Sequence, residues 1–203
     1  TARFFWKTAN QGFEKYRNSG CDRKKGYECI KEAIDNIKKY SIESGDFKTH
    51  LNALPHNNSW VKRFLLQLVE WYLLGVSEGG ARIEYMNINL EHIMPEEYKK
   101  HWWKYLQENN PALTDEEIND KAELYIYKFG NWCLLPPTWN KKGSNFCFSR
   151  KKDEYKKFKS PLWENKNFKE IDVSEKTIWN FEQIEKRNDK IIEILLNEIY
   201  KDK

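Results

Sequence analysis

No run of about 18 consecutive apolar residues occurs along the chain, so no membrane-spanning helix and no membrane partner are expected. No secretory signal opens it either. Thr1-Ala2-Arg3-Phe4-Phe5-Trp6 starts in mid-pattern without an initiator Met, which suggests a piece of a longer protein. Cysteine is scarce and forms no CxxC pair. Cys21, Cys29, Cys133 and Cys147 lie 8, 104 and 14 residues apart, which excludes a zinc ribbon or a disulfide framework. Reduced thiols in a cytoplasmic protein are the expectation. A large charge excess is also missing: the net +4 does not by itself point to nucleic acid. Hydrophobic residues reach only 39%, yet nine Trp, eleven Tyr and eleven Phe can build a core from few, large side chains. Disorder is therefore excluded, and 203 residues suit one domain, or one with a helical extension.

Helical periodicity dominates what is present. Helices are expected over 1–17 and about 25–40, and the clearest over Ser59–Gly75. There Val61, Phe64, Leu65, Leu68, Val69, Tyr72 and Leu73 recur at i, i+3, i+4 and i+7 after a Ser59 cap. His50 and His56 fall in polar, loop-like sequence and receive no role. From Ile83 to Leu90 apolar and polar residues roughly alternate, as in a half-buried strand, which runs into Glu91-His92-Ile93-Met94-Pro95. Glu96–Gln107 reads as a helix with His101 exposed, and Thr114-Asp115-Glu116-Glu117 as a capping box opening a helix to about Phe129. The apolar run Trp132-Cys133-Leu134-Leu135, between Gly130-Asn131 and Pro136-Pro137, suits a short buried strand. A helix from about Phe146 to Phe158, anchored by Phe148, Tyr155 and Phe158, completes a ββα order. A last helix is expected from Ser174 to about Tyr200, its buried side carrying Ile178, Phe181, Ile184, Ile191, Ile192, Leu195, Leu196 and Ile199. Arg187 interrupts that side, either as a structural ion pair or facing nucleic acid.

Charge is unevenly spread. Between Lys141 and Lys159, eight basic residues (Lys141, Lys142, Arg150, Lys151, Lys152, Lys156, Lys157, Lys159) face two acidic ones, a local +6 that exceeds the whole chain's +4. Such a run is either a solvated helix face or a phosphate-binding one. Its place beside the Glu-His strand end favours the second.

His92, then Asn131, then Asn140 nine residues later follow the order of the HNH motif in ββα-metal (His-Me finger) nucleases. Three further stretches tighten the likeness: His92-Ile93-Met94-Pro95 fits HxxP, Gly130 to Pro136 a "GNLTLLP" strand, and Asn140 to Lys151 an "N…SN..F..K" helix. Together they resemble the C-terminal HNH domain of GmrSD-type modification-dependent restriction endonucleases, over about Glu84 to Tyr200. The resemblance implies a mostly α fold with a small β-hairpin, a ββα-metal core embedded in a helical domain. Residues 1–80 would lead into a nuclease domain at 81–203, with a helical insertion at about 96–129. It also implies a missing N-terminal nucleotide-binding domain and a DNA partner, possibly modified phage DNA.

The chemistry gives each residue type a reason. A neutral imidazole, with an ordinary pKa of about 6.5, can take a proton from water near pH 7, so His92 is the expected general base. A hard cation, Mg²⁺ or Mn²⁺, prefers oxygen ligands, which Glu91 and the Asn140 amide could supply. The resemblance implies that Asn131 orients the histidine and its loop, and that Lys151 and Asn145 contact DNA. Lys141, Lys142, Arg150 and Lys152 join them through the basic run. The expected activity is a metal-dependent DNA endonuclease or nickase of a bacterial anti-phage restriction system. The alternative is a non-catalytic DNA-binding or protein-interaction module with a degenerate site.

Overall fold

The computed structural model describes residues 14, 15, 18, 28, 49, 51, 59–75, 88–136, 145–158, 160, 162–163 and 168–198. The chain divides into two compact units, Thr1–Phe64 with Tyr200–Lys203, and Leu65–Ile199. Of the helices expected over 1–17 and 25–40, only Glu14, Lys15 and Glu28 fall among the described residues, and each is helical. Asn140, Lys141 and Lys142 lie outside them.

The described residues are mostly helical, with one small antiparallel sheet, in agreement with the expected class. Helix α1 spans Ser59–Gly75 as its periodicity predicts, and buries Leu65, Leu66, Leu68, Val69 and Leu73. Strand β1 spans Asn89–His92, so the strand runs into the Glu91-His92 pair and ends on the histidine. The helix expected over 96–107 is two, α2 (Tyr98–His101) and α3 (Trp103–Asn109). The break falls at Trp102, whose indole is buried and donates to Phe146 O at 2.9 Å. Helix α4 (Asp115–Tyr125) starts at the predicted capping box: Thr114 Oγ1 accepts from Glu117 N, and the Glu117 carboxylate accepts from Thr114 N at 2.8 Å. A 3-10 turn at Phe129–Asn131 leads into β2, Trp132–Leu135.

The insertion does not prevent the strands from pairing. Glu91 stands opposite Cys133 and His92 opposite Trp132. Helix α5 (Phe148–Tyr155) follows, then a 3-10 turn over Lys156–Phe158. The insertion helices and α5 share one core that includes Tyr98, Trp102, Leu106, Ile118, Phe148, Trp163 and Trp179. Phe148 and Trp179 stack with centroids 5.7 Å apart, as a core of few, large rings requires.

The last helix, α6, starts at Phe181 and not at Ser174. Ser174 Oγ donates to Asp172 Oδ1 at 2.7 Å, so it is engaged in the preceding turn, while the Asn180 side chain caps Gln183 N at 3.0 Å. Ile178 consequently lies before the helix and is exposed. Phe181, Ile184, Ile191 and Ile192 form the buried side, each contributing about 1.5–3 kcal/mol through burial. A π-helical stretch at Ile194–Glu198 follows. No helix among the described residues is long and apolar enough to cross a membrane.

Glu70 on α1 is fully buried, accepts from the Ser160 hydroxyl, and is pushed by burial up to about 8, against the pull of Ser160 and Arg187. The folded chain thus holds a proton that an unfolded carboxyl releases near its ordinary value of 4.5. Stability that depends on this proton is fully present below that value and is lost as pH rises toward about 8, at about 1.4 kcal/mol per pH unit. Glu70→Gln is neutral at every pH and should flatten this slope. In urea unfolding series, the stability advantage of the variant should grow from pH 5 to pH 8 (about the range set by the two protonation states) and then level off.

Candidate active site

Strand alternation decides which side chains share a face. Glu91 points with Asn89, Cys133 and Leu135 to one side of the strand pair. His92 points with Leu90, Leu134 and Trp132 to the other. Cys133 and Leu135 belong to the main core, so the Glu91 face packs against that core, while Trp132 and Leu134 on the other face are buried as well.

His92 sits at the end of β1 with its side chain 21% exposed. Its ring meets Trp132 edge-on at 4.8 Å and Tyr127 at 6.2 Å. The nearby carboxylate on its own side is Glu96, whose Oε1 lies 3.8 Å from Nε2. Sequence reasoning missed Glu96, although its i+4 spacing from the histidine across Pro95 was available as a signal.

Asn131 is fully buried and holds the chain just beyond the histidine. Its backbone carbonyl accepts from Ile93 N at 2.8 Å, and its side-chain Oδ1 accepts from Met94 N at 2.7 Å. The amide nitrogen donates back to Met94 O at 2.9 Å and to Ile126 O at 3.2 Å. Trp179 Nε1 completes the set, donating to Oδ1 at 3.2 Å. All four hydrogen-bonding positions of this amide are used, so the residue has no valence left for a cation.

Glu91 and Lys151 depart from their expected places. Glu91, expected as a metal ligand, is buried, and its Oε1 accepts from Lys151 Nζ at 2.7 Å and from Tyr155 Oη at 2.6 Å. Lys151, expected on a DNA phosphate, is 0% exposed, and its ammonium also donates to His92 O at 2.6 Å. The inward placement of Lys151 has a simple cause. Phe148, Lys151 and Tyr155 lie at i, i+3 and i+7 on α5 and are the buried residues of that helix. Phe148 and Tyr155 are legible in the sequence as apolar anchors, and their phase also carries position 151 inward. Burial shifts both charged groups toward their neutral forms, Glu91 up and Lys151 down, and their mutual contact opposes this.

The remaining expected DNA contacts divide. Lys152 is half-buried, and its ammonium donates to Lys176 O at 2.5 Å. Arg150 is exposed, with its guanidinium 3.6 Å above the Phe146 ring. Asn145 is exposed, and its amide approaches Glu97 Oε2 at 3.4 Å, where His101 Nε2 also lies at 3.3 Å. Asn145 and Arg150 are thus accessible, Lys151 is not, and Lys152 is tied to the protein. Among the described residues no three His, Cys, Asp or Glu side chains are grouped to hold a metal ion.

The family model of the GmrSD restriction endonucleases, C-terminal domain, matches residues 11–194 of the chain. That span begins well before the Glu84–Tyr200 stretch that carries the motifs. No curated protein and no solved structure matches the chain.

Proposed function

The chain belongs to the family of GmrSD restriction endonuclease C-terminal domains, and from that premise we propose that it hydrolyses phosphodiesters in DNA with His92 as general base. The observation that carries this reading is the position of His92. It is an imidazole at a strand end, 21% exposed over its side chain with Nε2 turned inward, and the chain on both sides of it is held by buried partners. Such preorganisation lets a proton acceptor meet an attacking water without rearranging. In this proposal Asn131 acts through the loop it clamps. Arg150 and Asn145, both accessible on the segment after the strand pair, approach the DNA backbone, with Lys141 and Lys142. The full-length system would be a modification-dependent, anti-phage restriction protein of the cytoplasm, whose missing nucleotide-binding domain reads the modified DNA.

Phosphodiester hydrolysis of this type implies a divalent cation, Mg²⁺ or Mn²⁺, to stabilise charge on the phosphate and the departing oxygen. Of the ligand set expected for it, only Glu91 falls among the described residues. Glu91 faces inward and spends Oε1 on two donors, while Asn140 lies outside the described residues. The steps assigned to this chain are accordingly those of its own groups: His92 takes the water's proton, and the backbone clamps around it fix its position.

Supercoiled plasmid incubated with the purified chain and Mg²⁺ or Mn²⁺ tests the proposal. His92→Ala should lower nicking by about 10²–10⁴-fold while leaving a cooperative unfolding transition. Equal nicking by the two proteins would remove His92 from the chemistry. Plasmid binding without any nicking by the wild type would favour the module reading.

A further inference from the structure

We infer that Glu91, Lys151 and Tyr155 form a buried positioning triad that fixes His92 through its main-chain carbonyl, and that Glu91 does not ligate metal. This inference rests on the reading of His92 as the general base.

Geometry carries it. One ammonium, Lys151 Nζ, bridges two consecutive residues of β1: the Glu91 carboxylate at 2.7 Å and the His92 carbonyl at 2.6 Å. Tyr155, one helical turn further along α5, donates to the same Glu91 oxygen at 2.6 Å. The two α5 side chains therefore converge on a single point of the strand. Tyr155 is itself held in place, fully buried with its ring edge-on to Trp163 at 4.8 Å.

Beyond the histidine, Asn131 takes the amides of Ile93 and Met94. Backbone groups of three successive residues, 92 to 94, thus have fixed partners from two other elements. A lysine would not be stable there alone, because a buried ammonium without a counter-charge is strongly disfavoured. Glu91 supplies that counter-charge. Its carboxylate is needed inside for Lys151, which explains an acid on the core face of the strand, opposite Cys133.

Charge inventory supports the same assignment. A phosphate-binding lysine must be able to reach solvent, and Lys151 is 0% exposed. A hard-cation ligand must present its carboxylate to the ion, whereas Glu91 is 3% exposed and turns Oε1 to two donors inside the protein. Neither expected role suits the observed surroundings, whereas a clamp on the His92 peptide uses every contact present.

The test uses the purified chain with supercoiled plasmid and Mn²⁺. Lys151→Met should lower the single-turnover nicking rate at saturating protein by about ten- to a hundredfold, the scale of a small misplacement of a catalytic group. Its plasmid affinity and the slope of that affinity against salt should match the wild type. A slope shallower by about one would mark Lys151 as a phosphate contact and overturn the inference. Tyr155→Phe keeps the ring and loses one hydrogen bond to Glu91, so it remains informative if Lys151→Met fails to fold. It should slow nicking without weakening plasmid binding, and a wild-type rate in a folded Tyr155→Phe protein would overturn the positioning role. Glu91→Gln should bind Mn²⁺, measured by calorimetry without DNA, as the wild type does. A loss beyond about 100-fold, more than a supporting residue costs, would make Glu91 a ligand and overturn the second half of the inference. If His92→Ala nicks like the wild type, the general-base reading falls by that result alone. The salt slope and the calorimetry still decide whether Lys151 and Glu91 face inward.

Discussion

Arg187→Met is expected to remove about 3–5 kcal/mol of folding stability, the scale of breaking a buried charged network. Arg187 is 0% exposed, and every hydrogen bond of its guanidinium goes to a backbone carbonyl. Nε donates to Ile171 O at 3.0 Å and Nη2 to Leu162 O at 2.6 Å. Nη1 reaches Gly130 O at 2.7 Å and Trp132 O at 2.8 Å, with Phe129 O further off at 3.4 Å. One side chain of α6 thereby ties together the 3-10 turn that leads into β2, the start of β2, and the chain at Leu162 and Ile171. Burial pulls its pKa down to about 10, so it stays charged at neutral pH. Methionine fills much of the volume but removes these donors; Phe129 O keeps the Trp132 amide, and a carbonyl left without any donor costs about 1–3 kcal/mol. Lysine keeps the charge but offers one nitrogen in place of a planar fork, so Arg187→Lys should also be strongly destabilising. Urea midpoints would measure both. A midpoint for Arg187→Met close to the wild type would show that water or rearrangement satisfies the carbonyls. The structure also resolves the two readings of this arginine: it neither pairs with one acid nor faces DNA.

Gly130→Ala should be destabilising on a comparable scale, although it adds a single methyl group. A Cβ at this position would sit 2.0 Å from Ile184 O and 2.8 Å from Asn188 N, both backbone atoms of α6. Overpacking against flexible side chains costs about 1–3 kcal/mol, and a helix backbone yields less readily. To admit the methyl, α6 must move away from the 3-10 turn at Phe129–Asn131. That displacement also stretches the Arg187 bond to Gly130 O and disturbs Asn131, which holds the loop beyond His92. Thermal unfolding should show a lowered midpoint for Gly130→Ala, and nicking should fall along with it. Because Arg187 and Gly130 stabilise the same junction, the double variant should lose less than the sum of the two single losses. An additive result would mean that the two act at separate places.

The elements that the sequence predicted well are those whose signal is local. Ser59–Gly75 follows the period of its own apolar residues, and the Thr114 capping box needs only Glu117 three positions on. The short strand Trp132–Leu135 is marked by the glycine before it and the prolines after it. Misread boundaries arose where a side chain had another partner than the one its own helix would offer. Ser174 could cap a helix, yet its hydroxyl goes to Asp172, and the helix waits for Asn180. Trp102 fits a continuous helix, but the bond of its indole to Phe146 O accompanies a break there.

For the site, the order of His92, Asn131 and Asn140 could be read along the chain, and with it the family. What the sequence by itself determined was the residue types, their spacing, the helical class and the strand pair. Which side each charged residue faces was decided only by the tertiary structure. A strand of alternating residues has two faces, and nothing local says that the Glu91 face turns inward while the His92 face keeps some solvent. The packing of α5 against β1 makes that choice, because Lys151 and Tyr155 provide the only matched environment, among the described residues, for the Glu91 carboxylate. Gly130 reads in sequence as punctuation before a strand, but α6 passing within contact distance gives it its real constraint. Arg187 likewise breaks an apolar pattern until five carbonyls from distant segments are brought around it. Burial of charge is a property of the assembled core. A local pattern can name the charged residue, but only its partners in space determine where it points.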